Sequence, residues 1–276
     1  MLDQRSEQKL AERTEKVPIY AQLKENLAFI SKTLGDSSDI ITRKFKIPYA
    51  PDREAAIIFV DGMVKSQSID DFILRSLTIE SEEVDEKYEI DRWLEERLLH
   101  VGETKSTQEM KDMVKAVLDG DTALFIDKCE TGFVLGTKGW ESRGVSEPNI
   151  EAVVRGSREG FTENIRTNSA LIRRRLKDPD LRLLSYTLGR RTKTFVSVLY
   201  IEGVMDNNIL AEIKKRIEKI DVDGVLESGY IEEFIEDNTW SPFPQIQGTE
   251  RPDASVAHLL EGKAVIIVDG TPFVLV

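Results

Sequence analysis

The sequence predicts an α/β fold built twice: two similarly folded subdomains from an internal duplication, each a small mixed β-sheet packed with helices. Three observations carry that expectation. The first is self-similarity at a nearly constant spacing. Ala56-Ile57-Ile58-Phe59-Val60-Asp61-Gly62 is echoed by Ser197-Val198-Leu199-Tyr200-Ile201-Glu202-Gly203, 141 positions on. Val117-Leu118-Asp119-Gly120 followed by Asp127 is echoed by Leu259-Leu260-Glu261-Gly262 followed by Asp269, and Ile30–Asp36 by Ile172–Asp178, in both cases 142 positions on. The second is element order: hydrophobic spacing reads as α-β-β-α-α-β-β in each half, and strand pairs linked by helices imply sheets with helices packed on them. The third is length, since 276 residues suit two domains, each within the usual range of roughly 100–200 residues. Generic strand–Gly–helix punctuation shared by two α/β halves is the alternative explanation of the similarity.

In the first half, Ala21–Leu34 places Leu23, Leu27, Ile30 and Leu34 at helical spacing and stops at Gly35. Ile40–Ile47 alternates enough for a strand, and Ala55–Val60 is the continuous apolar run of a strand covered on both faces. Asp61-Gly62 breaks that run; Ile69–Leu77, Trp93–Leu99 and Thr107–Leu118 then read as helices, the last ending at Gly120. Thr122–Asp127 and Gly132–Leu135 are two short strands around a turn. The second half gives helix Thr162–Leu176, strands Leu181–Leu188 and Thr194–Ile201, helix Asn208–Ile220 and a further helical stretch. Helix Asp253–Leu260 and strands Ala264–Val268 and Phe273–Val276 complete it. The expected organisation is a flexible tail over residues 1–18, solvated or a short helix ending near Pro18, a subdomain over 19–145, a connector over 146–160 and a subdomain over 161–276. The connector falls in Ser142–Gly160, where Gly144, Pro148, Gly156 and Gly160 interrupt the pattern. The apolar finish at Phe273-Val274-Leu275-Val276 reads as the edge of a longer chain.

Composition removes several functions. Fifty acidic against 38 basic residues give a net charge of −12, against a nucleic-acid binder, which needs a basic face for phosphates. Cys129 stands alone, and His100 and His258 lie far apart in sequence; this argues against a disulfide and against a zinc site. Ala55–Val60, Ala264–Val268 and Phe273–Val276, the longest apolar stretches, fall short of the ~20 residues of a spanning helix. Met1–Arg5 lacks the apolar core of a signal peptide. Phosphate loops, dinucleotide fingerprints and nucleophile elbows are missing. Asp61-Gly62, Glu202-Gly203 and Asp269-Gly270 follow strands, where they serve as turn-forming terminators or, in other proteins, as catalytic carboxylates. No catalytic residue, metal or cofactor is expected.

Two stretches stand out instead. Glu151–Lys177 holds Arg155, Arg158, Arg166, Arg173, Arg174, Arg175 and Lys177 against Glu151, Glu159 and Glu163. On its helix, Ile165, Ser169, Ile172 and Leu176 form a core stripe, and Arg166 and Arg173 fall on one exposed or half-buried flank. Arginine's planar fork suits an ion-pair network, an interface or an anionic group; a solvated helix face is the plainer reading. The other stretch is Trp240-Ser241-Pro242-Phe243-Pro244-Gln245 with Thr249-Glu250-Arg251-Pro252-Asp253. Thr249 is a candidate helix N-cap, with Pro252 tolerated in the first turn and Glu250 and Asp253 suited to the dipole. A binding loop beside a helix N-terminus is the rival. The candidate binding or interface residues are Arg155, Arg158, Glu159, Asn164, Arg166, Asn168, Arg173, Phe243, Glu250, Arg251 and Asp253.

Arg155-Gly-Ser-Arg158-Glu159-Gly-Phe161-Thr-Glu163-Asn164-Ile-Arg166-Thr-Asn168, continuing through Ala170–Pro179, resembles the A subunit of GerA-type spore germinant receptors. Pro242-Phe243-Pro244-Gln245, Thr249–Asp253 and Val268-Asp269-Gly270-Thr271-Pro272-Phe273 are similar to the same family, and matching blocks cover most of residues 40–276. The resemblance implies a receptor subunit in the inner membrane of a dormant bacterial spore, with this domain on the cytoplasmic, spore-core side. It implies a B subunit similar to an amino-acid transporter, a lipoprotein C subunit, and a C-terminal membrane-helix part that this sequence lacks. It also implies nutrient detection leading to ion release. The expected role is receptor assembly and signal transmission, without enzymatic activity. The alternative is direct sensing of an amino acid or sugar in a cleft between the subdomains; a homo-oligomer stays open.

Overall fold

The computed structural model describes residues 10–47, 50–65, 67–69, 103–139, 151, 156–238 and 240–276. The chain divides into two units, residues 1–140 with 177–179 and residues 141–176 with 180–276. The first unit contains α1 (Leu23–Leu34), β1 (Ile40–Ile47), β2 (Ala50–Val60), β3 (Thr104–Thr107), α2 (Met110–Leu118), β4 (Thr122–Ile126) and β5 (Gly132–Leu135). The second contains α3 (Ile165–Arg175), β6 (Leu181–Leu188), β7 (Thr194–Ile201), α4 (Asn207–Glu218), α5 (Ser228–Ile235), β8 (Gly248–Thr249), α6 (Pro252–Leu260), β9 (Val265–Val268) and β10 (Val274–Leu275). Each unit holds one five-stranded sheet, ordered β1-β2-β4-β5-β3 and β6-β7-β9-β10-β8. The order is the same twice, as duplication requires.

Alternation of side chains across a strand explains why β9 is apolar throughout and β7 nearly so, with Ser197 the buried exception. Val196, Val198, Ile266, Val268 and Leu275 point into one core with Leu210 and Ile217 of α4 and Ile231 and Ile235 of α5. Leu199, Ile201, Val265, Ile267 and Val274 point into another with Leu171 and Ile172 of α3 and Leu259 of α6. The second sheet is therefore the middle of three layers, as its continuous apolar runs demand. In the first unit Ala55, Ile57, Phe59, Leu124, Ile126, Phe133 and Leu135 form the core on one face, and α1 and α2 pack against β2 and β4.

Several expectations need correction. All pairings in both sheets are antiparallel, so neither sheet is mixed in direction. Strands β3 and β8 were not expected: Thr104-Lys105-Ser106-Thr107 and Gly248-Thr249 sit at sheet edges, are short, and carry no apolar alternation to betray them. For the same reason the helix expected from Thr107 begins at Met110, because Thr107 pairs with Gly132 in the sheet. Strand β2 starts five residues before the apolar run, its polar beginning paired to β1 across a register shift at Lys46/Ile47. Residues 10–18, expected as a tail or short helix, hold a helical turn in which buried Thr14 donates to Leu10 O at 2.6 Å. Ile69 is buried in a helical stretch at 67–69, while the rest of Ile69–Leu77, helix Trp93–Leu99, His100 and most of the 146–160 connector lie outside the described residues.

One polar device joins helix to sheet in each unit, again 142 positions apart. The Asn26 carboxamide accepts from Tyr20 N at 2.8 Å and donates to Tyr20 O at 2.7 Å. Asn168 accepts from Thr162 N at 2.8 Å and donates to Thr162 O at 2.6 Å. Asp127 Oδ1 accepts from Leu23 N at 3.0 Å, the first residue of α1, and Asp269 Oδ1 from Ile165 N at 3.1 Å, the first residue of α3. Lys128 N donates to Ala21 O at 2.7 Å and Gly270 N to Glu163 O at 2.8 Å, which ties the segment before each helix to the end of a central strand. Both asparagines are fully buried. Replacing either with alanine strands two backbone groups, so Asn26→Ala and Asn168→Ala should each lose about 1–3 kcal/mol, measured by urea unfolding with circular dichroism. Equal stability of either variant and the parent would contradict this account.

Candidate functional site

The structural duties of the candidate residues come first, because they decide what remains for function. Asn164 caps α3, its Oδ1 accepting from Thr167 N at 3.1 Å, while Asn168 spends its amide on Thr162 as described. Arg166 is exposed, but Arg173 is buried with 2% exposure, against the expectation that both lie on an outer flank. Seven residues bring a helix round to nearly the same azimuth but about 10 Å further along its axis, where the surroundings differ. Arg174 and Arg175 reach back over the preceding loop: Arg174 to Glu159 at 3.4 Å, Arg175 to Glu159 at 2.7 Å and to Ser157 Oγ at 2.6 Å. Arg158 is exposed. Arg155 lies outside the described residues.

The acidic residues that follow strands are structural in the same sense. Gly62, Gly203 and Gly270 adopt φ of 82°, 76° and 90°, the left-handed turn that ends each strand. Glu202 takes the Arg182 guanidinium at 2.6 Å; Arg182 itself is 5% exposed, and nothing in the Leu-Arg-Leu-Leu pattern of β6 flagged it. His258 Nδ1 lies 2.9 Å from Lys263 Nζ at the end of α6. Among the described residues no group of histidine, cysteine and acidic side chains has metal-ligand geometry.

At the start of α6, Thr249 is not the cap. Arg251 occupies that position and Pro252 the first turn, while Thr249 Oγ1 accepts from Arg251 N at 3.1 Å. Thr249 donates in turn to Glu151 Oε2 at 2.6 Å, which also accepts from Glu250 N at 3.0 Å. Glu250 is buried. Arg251 grips Asp253 with two bonds, at 3.2 and 2.6 Å. Burial pushes the Asp253 carboxyl up, yet the Arg251 guanidinium and the backbone N–H groups of Asp253 and Ala254 together hold it below the usual carboxylate range.

The loop between α5 and β8 is held by Gln245, which the sequence marked only as the end of the proline-aromatic stretch and not as a candidate residue. Gln245 accepts from Asp237 N at 3.1 Å and donates to Asn238 O at 2.7 Å. With Ser241 bonded to both N and O of Phe243, the loop presents Trp240 at 93% and Phe243 at 76% exposure. Beneath it lies a cavity of about 420 Å³ lined chiefly by Met205, Ile209, Ile213, Ile235, Ile246 and Leu275. Arg216 at its rim is engaged by Glu212, Asp237 and the Ile235 carbonyl. Among the described residues this half thus presents exposed aromatic surface rather than a set of converging reactive groups.

Residues 28–276 match the family model of the Bacillus/Clostridium GerA spore germination protein. The chain is 42% identical over 259 residues to the uncharacterized membrane protein YfkQ of Bacillus subtilis, covering 94% of this chain and 49% of that one. It is 38% identical over 265 residues to spore germination protein KA of Bacillus subtilis (96% and 48%), and 37% identical over 247 residues to spore germination protein GerLA of Bacillus cereus (90% and 50%). It spans about half the length of these curated relatives. The crystal structure of the N-terminal domain of the A subunit of the Bacillus megaterium spore germinant receptor GerK3 superposes with a TM-score of 0.71 at 37% identity, covering 94% of this chain and 95% of that one. No helix among the described residues is long and apolar enough to cross a membrane.

The Arg251–Asp253 pair has a pH signature. A carboxyl whose folded value lies below its unfolded one stabilises the fold above the ordinary value of 3.8 and loses that contribution as pH falls through the folded value. Asp253→Asn should therefore melt earlier than the parent at neutral pH, with the gap closing below pH 3.8. Thermal unfolding from neutral to acid pH measures it; a gap that widens on acidification would contradict the assignment.

Proposed function

The chain belongs to the GerA family of spore germination proteins and has the fold of a germinant-receptor A-subunit N-terminal domain, and from that premise we propose that its own role is receptor assembly and signal transmission. Family members are germinant-receptor subunits that act in the spore. In this proposal the domain works beside B and C subunits at the spore inner membrane, on the core side, and belongs to a longer chain that enters the membrane. The family resemblance supports those placements.

The observation that carries the role is the braced Trp240–Phe243 loop. Two aromatic rings at 93% and 76% exposure, on a segment stiffened by Pro242, Pro244 and Gln245, are costly to leave in water. Such rigid aromatic anchors are what protein interfaces use. Arg158 and Arg166, both exposed, add cationic groups on the same unit. Direct binding of an amino acid or sugar is the other role. Among the described residues lining the cavity, Arg216 pairs with Glu212 and Asp237, and Lys263 and Gln245 have partners of their own, so a zwitterion would find few unspent groups there.

Spores carrying Trp240→Ala with Phe243→Ala in the full-length subunit should contain less assembled receptor and germinate more slowly. The same double variant of this 276-residue chain should melt with the parent, because both side chains are exposed. Immunoblots of spore membranes and the optical-density fall on germination measure the effect. Normal receptor levels and normal germination would sink the assembly reading, and saturable calorimetric heat on titration with a nutrient would move the role to sensing.

A further inference from the structure

Helix α5 has a buried face and an unusual outer one. Ile231 and Ile235 fill the core, whereas Tyr230 and Phe234, one turn apart, stand at 38% and 45% exposure, and Leu226 just before the helix at 65%. An apolar stripe of this kind on a short surface helix is not solvated for any structural benefit. Its charge environment is one-sided. From Ile220 to Glu250 the chain carries no lysine, arginine or histidine, while Glu227, Glu232, Glu233 and Glu236 crowd on and beside α5. Three neighbouring arginines are committed elsewhere: Arg190 to Asp221, Arg191 to Asp223 and Arg216 to Glu212 and Asp237. Among the described residues no cation pairs with Glu227, Glu232, Glu233 or Glu236. Burial first, and then the like charges of Glu236, Glu227 and Glu233, push the Glu232 carboxyl above its ordinary range. The acids therefore repel one another without relief inside the domain.

We propose that the outer face of α5 is a docking site for a basic amphipathic helical segment of a partner protein, whose apolar stripe covers Leu226, Tyr230 and Phe234 while its lysines or arginines meet Glu227, Glu233 and Glu236. Complementary charge picks this occupant. An anionic lipid surface is repelled by the same carboxylates, and an acidic peptide likewise. Apolar side chains at helical spacing fit the two rings at one-turn separation, and the basic rim speeds encounter and relieves the acid crowding. The inference gives a partner chemistry to the assembly role and rests on that role.

The probe is a synthetic Leu/Lys peptide of about 18 residues, long enough to hold a helix on contact, with leucines at helical spacing. A scrambled peptide of identical composition, a Leu/Glu peptide and phosphatidylcholine vesicles serve as comparisons. Titration into the fluorescently labelled 276-residue chain gives affinity, and amide hydrogen exchange gives location. The patterned peptide should bind and protect residues 226–236, more weakly as salt rises. Phe234→Ala should weaken binding about tenfold, and Glu233→Lys about tenfold with a flatter salt dependence. Equal binding of the scrambled peptide, protection elsewhere, vesicle coverage of the same residues, or indifference to both substitutions would overturn the proposal. Were Phe234→Ala to lower the melting temperature, Glu233→Lys decides alone. A failed peptide leaves the assembly role standing, because that role is read in spore receptor levels.

Discussion

A buried carboxamide has no water to bond with, so its partners must come from the chain itself, and this requirement anchors each half of the molecule. Asn168 can be satisfied only if Thr162 turns both its N–H and its carbonyl toward it, which sets the path by which the chain enters α3. Asp269, arriving from the end of β9, then caps the first residue of that helix. Helix and sheet are thereby fastened at one point by groups that would each be destabilising if left unpaired. Asn26 and Asp127 repeat the arrangement in the first unit. The apolar layers supply most of the stabilisation, but they would tolerate some sliding of α3 over the sheet; the polar fastening does not.

With the helices so placed, covering both faces of the second sheet consumes most of what the sequence has to offer. Its alternate side chains fill two cores. Polar residues that look functional in a linear reading are spent on the fold: Asn164 on a cap, Glu159 on Arg174 and Arg175, Glu202 on the buried Arg182. Fewer groups are left exposed. In the second unit they include the braced aromatic loop and the outer face of α5, apolar surfaces set among carboxylates. Gln245 and the prolines hold the loop still.

Much of this was legible beforehand, and for identifiable reasons. Strands β1, β5, β6 and β7 begin and end where alternation and apolar runs begin and end, because burial on a sheet imposes a period of two on the sequence. The edge strands β3 and β8 escaped notice since an edge needs only backbone hydrogen bonds, and Thr104–Thr107 and Gly248–Thr249 carry no pattern. The candidate site was partly readable: composition alone marked the arginine cluster and the proline-aromatic loop. It could not separate Arg166, which faces solvent, from Arg173, which is buried one heptad later. Nor did the acidic stretch around α5 declare itself, because a sequence does not show which face of a short helix carries Tyr230 and Phe234.

The sequence by itself determined the doubling, the family and the elements that carry an apolar pattern, because each is written in local spacing or in residues that sit side by side. Tertiary structure decided strand direction, which arginines reach water, and which asparagines serve as fasteners. The asparagines bond only six residues back. What they fasten, however, is held by partners 104 residues away, Asp127 on Leu23 and Asp269 on Ile165, and no local pattern reports a contact made at that distance along the chain.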